Sequence, residues 1–198
     1  TSTTTLTITD NSKNVRYYSK LSGTPTSDIL GGWYLSSISD SIGNKIVFGF
    51  DGGPRPTKIS LEPVGKDPID FLTIAYNSNY LPYIIWNETA KEAMIFRYSS
   101  TYNGSISTSS TTYLRKIEYA HSNTALTLSD WKSFYNNSAN NTNITVDATA
   151  EYTYDANGHL TKAKDTLSGY EIRYTYTTSG KVASVQEYAG TTAGQKMY

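Results

Sequence analysis

A short motif recurs along this chain at a spacing that leaves room for little except β-hairpins. The segment Phe48-Gly49-Phe50-Asp51-Gly52-Gly53-Pro54-Arg55-Pro56-Thr57-Lys58 aligns without a gap to Tyr152-Thr153-Tyr154-Asp155-Ala156-Asn157-Gly158-His159-Leu160-Thr161-Lys162. A third copy starts at Tyr174-Thr175-Tyr176, and weaker ones centre on Tyr76, Tyr98 and Tyr119. Taking the second aromatic as anchor, the steps from Phe50 through Tyr76, Tyr98, Tyr119 and Tyr154 to Tyr176 are 26, 22, 21, 35 and 22 residues. A step of about 22 residues holds two strands and two turns. Self-similarity of this kind decides the architecture before any single residue does.

The chemistry inside each copy agrees. Tyr152 and Tyr154 lie two apart and share a strand face. Asp155-Ala156-Asn157-Gly158 reads as a type I turn whose glycine takes the left-handed conformation of a bulged hairpin. His159 to Lys164 alternates as the return strand, and Asp165-Thr166-Leu167-Ser168-Gly169 is a second turn. Tyr170, Ile172, Tyr174 and Tyr176 then mark one face of the next strand. Glu171, Arg173, Thr175 and Thr177 mark the other, which is expected to face water. Two copies depart from the pattern. Pro54 replaces the glycine and cannot take a positive φ, so Gly52 or Gly53 must supply the irregular backbone. Tyr80 stands at the glycine position of another copy, and Asn79 is the expected left-handed residue there.

Around these copies, Leu6–Thr9, Asn14–Lys20 and Trp33–Ile38 read as strands, and Thr89–Ala93 as a hairpin loop. The 35-residue step holds an insertion, Ser129 to Ala148. Within it, Ser129–Tyr135 reads as one helical turn capped by Ser129, followed by a polar loop over 136–143. The expected divisions of a single all-β domain over 1–198 are N-terminal strands (1–45), degenerate hairpins (46–128), the insertion (129–148) and the clearest hairpins (149–188). The expected fold is an antiparallel meander of about 12–14 short strands in about six hairpin units, curled or closed into a barrel.

The Tyr-x-Tyr-Asp-x-x-Gly-x-Leu pattern at 152–160, echoed at 174–182, resembles the YD repeat of Rhs-type bacterial surface and toxin proteins. That resemblance implies long antiparallel sheets that curl into shells. In size, in Tyr/Thr/Asn richness and in its degenerate hairpins, the chain is also similar to secreted lipoproteins of Bacteroides-type gut bacteria with a porin-like β-barrel shape. This second resemblance implies an exported, lipid-anchored parent in the cell envelope, and no catalytic residues.

Composition narrows the functions. The chain has 17 basic and 17 acidic side chains, so no electrostatic footprint marks nucleic acid or an anionic membrane. It has no Cys, which removes disulfides, thiol catalysis and thiolate metal sites. The longest apolar run is about four residues, at Tyr83-Ile84-Ile85-Trp86, far short of a membrane helix. A transmembrane barrel is not expected either, because the second strand faces carry Lys, Glu, Arg, Thr and Ser. No phosphate-binding or dinucleotide glycine loop and no nucleophile elbow occurs.

Individual candidates are few. His121 and His159 are the only histidines, both expected at turns or strand starts, and two are too few for a catalytic zinc site. Asp155 and Asn157 offer oxygens but lack the acidic partners of a calcium loop. Glu62, Asp67, Asp70, Glu88 and Glu92 cluster in sequence and are expected to be solvated loop residues rather than a glycosidase pair. Asn87, Asn103, Asn136, Asn140 and Asn143 open Asn-x-Ser/Thr triplets, a number near chance in a chain one third Thr, Ser and Asn. Trp33, Trp86 and Trp131 are the best candidates for an exposed aromatic platform. Trp131 leads because it lies outside the repeat. The function expected is a non-catalytic, secreted or surface-anchored binding module, monomeric and without cofactor or metal. Its partner is a glycan or a host protein, and its ligand-binding residues are unassigned. The alternatives are an envelope scaffold, or a soluble barrel carrying an apolar molecule in its lumen.

Overall fold

One turn, used repeatedly, lays out the strands. In the computed structural model, which describes residues 5–20, 33–51, 55–87, 89–106, 113–189 and 192–196, the loop after Tyr154 closes twice. The Asp155 amide donates to the His159 carbonyl at 2.9 Å, and the Gly158 amide to the Asp155 carbonyl at 3.1 Å. One Asp155 carboxylate oxygen also accepts the amides of Asn157 and His159. The same arrangement recurs where Asp10 holds Ser12 and Asn14, Asp40 holds Ile42 and Asn44, and Asn77 holds Asn79 and Leu81. Thr177 opens a fifth copy with its hydroxyl. Three residues after each opening residue the backbone is left-handed, at Lys13, Gly43, Tyr80, Gly158 and Gly180. This is the three-residue hairpin loop with a terminal left-handed residue.

The expectation for Tyr80 is therefore corrected. Tyr80 itself, not Asn79, takes φ +62°, because the position in the turn is set by the Asn77 bonds and not by which side chain tolerates it best. The two turns at 10–14 and 40–44 also lie in the segment where the sequence shows no repeat. The turn at Gly52–Pro54 falls outside the described residues.

The described residues form fourteen strands: β1 (Thr5–Thr9), β2 (Val15–Lys20), β3 (Trp33–Ser39), β4 (Lys45–Phe50), β5 (Pro56–Glu62), β6 (Ile69–Tyr76), β7 (Pro82–Asn87), β8 (Glu92–Ser99), β9 (Tyr113–Ser122), β10 (Ile144–Tyr154), β11 (Leu160–Asp165), β12 (Tyr170–Tyr176), β13 (Val182–Ala189) and β14 (Thr192–Lys196). Their hydrogen-bonded order is their chain order, with β1 and β14 at its two ends, and no pairing closes it among the described residues. The all-β antiparallel meander is as the sequence predicts.

In five hairpins the return strand carries one extra residue: Ser36, Thr57, Arg115, Thr161 and Ala183. Each follows the residue that pairs with Tyr18, Phe50, Tyr98, Tyr154 or Tyr176. Such a bulge tightens the twist next to the turn. Three of these tyrosines then reach sideways to the preceding strand. The hydroxyls of Tyr98, Tyr154 and Tyr176 donate to the carbonyls of Pro82, Leu114 and Leu160 at 2.7, 2.8 and 2.7 Å. Tyr119 does not belong to this set. It lies in the middle of β9, which runs on to Ser122 with no turn after it.

The insertion forms helix α1 (Leu128–Asn136), capped by Thr127 and not by Ser129, in a capping box with Asp130. Thr127 precedes the first apolar residue of the helix, which is why it wins the position. A short 3₁₀ turn, Ser138–Asn140, follows. Because β10 begins at Ile144, the segment 144–148 is strand and not insertion.

The chain divides into two compact units, Thr1–Ile74 with Asn87–Ala90, and Ala75–Trp86 with Lys91–Tyr198. The second unit has a core. Trp131, Phe134 and Tyr135 of α1 pack with Ala75, Ile84, Trp86, Ala93, Ile95, Ala120 and Ile144 of the strands. The first unit has none: among the described residues every buried hydrophobic side chain belongs to the second unit.

Two measurements follow from the turns. Gly158 has φ +82°, and a Cβ there would lie 2.9 Å from the Tyr113 hydroxyl. Gly158→Ala should therefore lose about 1–3 kcal/mol of stability in urea unfolding. Asp10, Asp40 and Asp155 all have carboxyls held below their usual pKa, Asp10 and Asp40 chiefly by the side chains of Asn14 and Asn44, Asp155 chiefly by the His159 amide. A depressed carboxyl contributes stability above its unfolded pKa and loses it as pH falls through the folded value. The urea midpoint should hold steady down to the ordinary carboxylate value of 3.8 and fall below it. The triple Asp→Asn variant at 10, 40 and 155, which keeps an oxygen acceptor as Asn77 does, should flatten that fall.

Candidate functional site

The side chains that carry chemistry are mostly engaged in holding strands together. His159 closes the turn at Asp155 with Nδ1 3.0 Å from the carboxylate. Its ring stacks on Tyr176 at 4.6 Å and 23°, and the next turn's Gly180 packs against its edge. His121 is not at a turn. It lies within β9, with Nδ1 2.6 Å from Asp147, a half-exposed pair on the surface. The two histidines thus serve separate local contacts.

Two of the carboxylates that cluster in sequence, Asp70 and Glu92, behave in the same way. Asp70 meets Lys58 at 2.6 Å and accepts from the Ser60 hydroxyl. Lys58 and that hydroxyl hold its carboxyl below the usual range. Glu92 accepts from Tyr119, which pushes the phenol up. Glu62 ends β5 and Asp67 is an exposed loop residue, while Glu88 falls outside the described residues. Among the described residues no group of three or more His, Asp or Glu gathers to hold a metal ion.

The aromatic platform is corrected. Trp131 is 0% exposed and Trp86 8%. The insertion is not free of packing demands, because α1 supplies the second layer over β7–β10, and Trp131 is its central contact. Trp33 is half-buried, with the Lys20 ammonium 5.4 Å from its ring centre. The three tryptophans form no exposed cluster within either unit.

The sequence reading missed a buried charge cluster under α1. Glu118 is 6% exposed. Arg97 Nε approaches it at 2.6 Å and Lys116 Nζ at 2.8 Å. Arg97 also donates to the Tyr135 carbonyl at 2.8 Å, so it satisfies one of the orphan carbonyls at the helix end. Its guanidinium lies over the Phe134 and Tyr135 rings. The available signal was the placement of Arg97 and Glu118 within otherwise apolar stretches of β8 and β9. A second pair departs from expectation. Glu171, placed on the water-facing side, is 5% exposed. Arg173 Nε donates to it at 2.6 Å, and the same guanidinium, itself half-exposed, lies 3.9 Å over the Tyr188 ring. By register Arg97, Lys116, Glu151, Lys164, Glu171 and Tyr188 form one row across the second unit, and Glu118 and Arg173 stand two residues along their strands from it. Beside it, Lys162, Thr175, Gln186 and Tyr188 border a shallow cavity of ≈ 400 Å³.

The first unit presents a different surface. Its registers align Ile8, Arg16, Ile38, Ile46, Leu61 and Ile69 in one row across six strands. Leu6, Tyr18 and Leu35 join the same face, as do Phe48, Ile59 and Leu72. The bulges at Ser36 and Phe71 keep it in phase, since a one-residue slip would send each side chain to the other side. The opposite face carries Thr7, Tyr17, Ser37, Val47, Ser60 and Asp70. On the apolar face Leu6 is 42% exposed, Ile8 46%, Ile46 38% and Ile69 44%. This is the amphipathic pattern of a sheet with one face meant for cover, and contiguous exposed apolar patches mark interaction surfaces.

No family model matches the chain, and no curated protein matches it. Solved structures that resemble it are Tc toxin assemblies. The crystal structure of TcdB2-TccC3-TEV is similar at 11% identity and TM-score 0.46, over 90% of this chain and 9% of that one. The Photorhabdus luminescens Tc holotoxin pore is similar at 11% identity and TM-score 0.36, over 91% of this chain and 11% of that one. The chain thus spans about a tenth of the chains it matches. No helix among the described residues is long and apolar enough to cross a membrane.

Trp131→Ala should remove the central contact of the only buried core found among the described residues, and cost about 3–5 kcal/mol. The loss should appear as a lower urea midpoint and as hydrogen exchange opening in α1 and β7–β10, with or without any ligand.

Proposed function

We propose that the chain is a non-catalytic interaction module of a bacterial cell surface, built on YD-type hairpins. The observation that carries this reading is the apolar face of β1–β6. Each isoleucine there would gain about 1.5–3 kcal/mol on full burial, yet nothing described in its own unit buries it. A protein partner is the class of ligand that fits an extended apolar sheet with a polar reverse side. His121, His159, Asp70 and Glu92 support the non-enzymatic part of the reading, since each is occupied in a local structural contact. The cell-envelope location and a lipid-anchored parent rest on the sequence resemblance. A pure scaffold is the second reading, favoured by the recurring turns and tyrosine hydroxyl bonds, which use the repeat wholly for holding strands at fixed spacing.

The apolar dye 8-anilinonaphthalene-1-sulfonate tests the first reading. The folded protein, with near-ultraviolet circular dichroism intact, should enhance the dye's fluorescence. Ile46→Lys combined with Ile69→Lys should remove most of that enhancement with little change in stability, because both positions are already solvent-exposed. Folded protein that leaves the dye unaffected would overturn the reading and leave the scaffold.

A further inference from the structure

We propose that the polar cavity on β11–β13 binds an acidic saccharide, with Lys162 and Arg173 receiving its carboxylate. The inference goes beyond the interaction reading. It stands on the second unit alone and uses no residue of the apolar face of β1–β6.

Register brings the two cations together. Lys162 of β11 lies directly opposite Arg173 of β12, so both side chains leave the same face of the sheet. Their row runs Thr153–Lys162–Arg173–Gln186 and holds no carboxylate. Like charges directly opposite each other cost stability. Glu171 offsets one of them, accepting from Nε and Nη2 of Arg173. Lys162 has no ion-pair partner among the described residues, although it is half-buried. Arg173 is held against the Tyr188 ring, and its Nη1 has no described acceptor. The face thus carries an unbalanced positive charge at a defined place.

The chemistry around that charge selects the ligand. Lys162 and Arg173 border the cavity of ≈ 400 Å³, within the roughly 300–1,000 Å³ of small-ligand sites. Such sites are mostly apolar, yet no aliphatic residue lines this one. The Thr175 and Ser184 hydroxyls lie 2.6 Å apart on its wall. Gln186 Oε1 accepts from the Tyr188 hydroxyl at 3.2 Å, which leaves the amide Nε2 to donate. Hydroxyls that both donate and accept match the hydroxyls of a sugar ring. Two cations beside them match a carboxylate carried on that ring. A lipid or an aromatic acid would find no apolar wall here. An acidic peptide fits less well, because an extended peptide binds a sheet by adding a strand at an edge, and β11, β12 and β13 are each paired on both sides. The chain's balance of 17 basic and 17 acidic side chains gives nucleic acid no wider footprint.

The test is a titration of the isotope-labelled chain with methyl α-galacturonoside, followed by backbone amide chemical shifts. Saturable shifts should centre on Lys162, Arg173, Ser184 and Gln186. Methyl α-galactoside, which has a hydroxymethyl group in place of the carboxylate, should bind at least about tenfold more weakly. Lys162→Gln should weaken binding of the acidic sugar about tenfold, and Lys162→Arg should keep it within about threefold. Lys164→Gln, one row away and outside the cavity lining, should keep it within about twofold. The urea midpoint of Lys162→Gln should not fall, because the change relieves the opposition to Arg173, so its loss of binding is not a loss of fold. No saturable shift up to about 50 mM sugar overturns the proposal, and so does equal affinity for the neutral galactoside. Sodium sulfate that shifts the same amides with equal affinity marks a bare anion site, and triglutamate that does so marks an acidic-peptide site. Either result overturns the saccharide. These readouts are independent of dye binding, so failure here and failure of the interaction reading are separately visible.

Discussion

A single oxygen atom accepting two backbone amides is the constraint on which the strand layout depends. In the turns at Asp10, Asp40, Asn77 and Asp155, the side-chain oxygen binds the amides two and four residues on. That closes a loop of fixed length, places the left-handed residue three positions after the opening one, and sets which residue starts the return strand. Aspartate and asparagine both suffice, so geometry matters more than charge. The bond is strong enough to hold Lys13 and Tyr80 in the left-handed region at φ 63° and 62°, a conformation that costs a side-chain-bearing residue roughly 1–3 kcal/mol.

With the turn defined, the rest of the hairpin follows. The bulge just inside the return strand steepens the twist, and the anchor tyrosine closes the gap by reaching to the carbonyl of the strand before it. Left-handed glycines then fit against a ring from the preceding hairpin, Gly158 on Tyr113 and Gly180 on His159. A side chain at either glycine would meet that ring. This explains why His159, which has the composition of a catalytic residue, behaves as part of the stacking between hairpins.

The two units solve the problem of the second sheet face differently. In the second, α1 covers part of it with Trp131, Phe134 and Tyr135, and Arg97 ties the helix end to Glu118. A buried ion pair is weak support for stability on its own. Here its value is positional, since the one guanidinium satisfies a helix carbonyl, a carboxylate and two ring faces. The two orphaned polar atoms found among the described residues, Trp131 Nε1 and Tyr135 Oη, lie on the same helix, so its packing was reached at the expense of hydrogen bonding. In the first unit, no described element plays the part of α1, and the isoleucine row is left half open. Much of this was legible in the sequence. The hairpins from 152 to 182 and their turns come directly from two-residue periodicity and Asp-to-Gly spacing, whereas Glu171, expected to face water, is buried by its pairing with Arg173. The turn at 40 carries the same Asp-to-Gly spacing and the turn at 10 has Lys13 in place of the glycine, but both lack the aromatic pair before them, and anchoring on tyrosine hid them. Tyr119 shows the converse, an aromatic without a turn. Trp131 was misjudged because periodicity describes strands and says nothing about which inserted segment becomes their second layer.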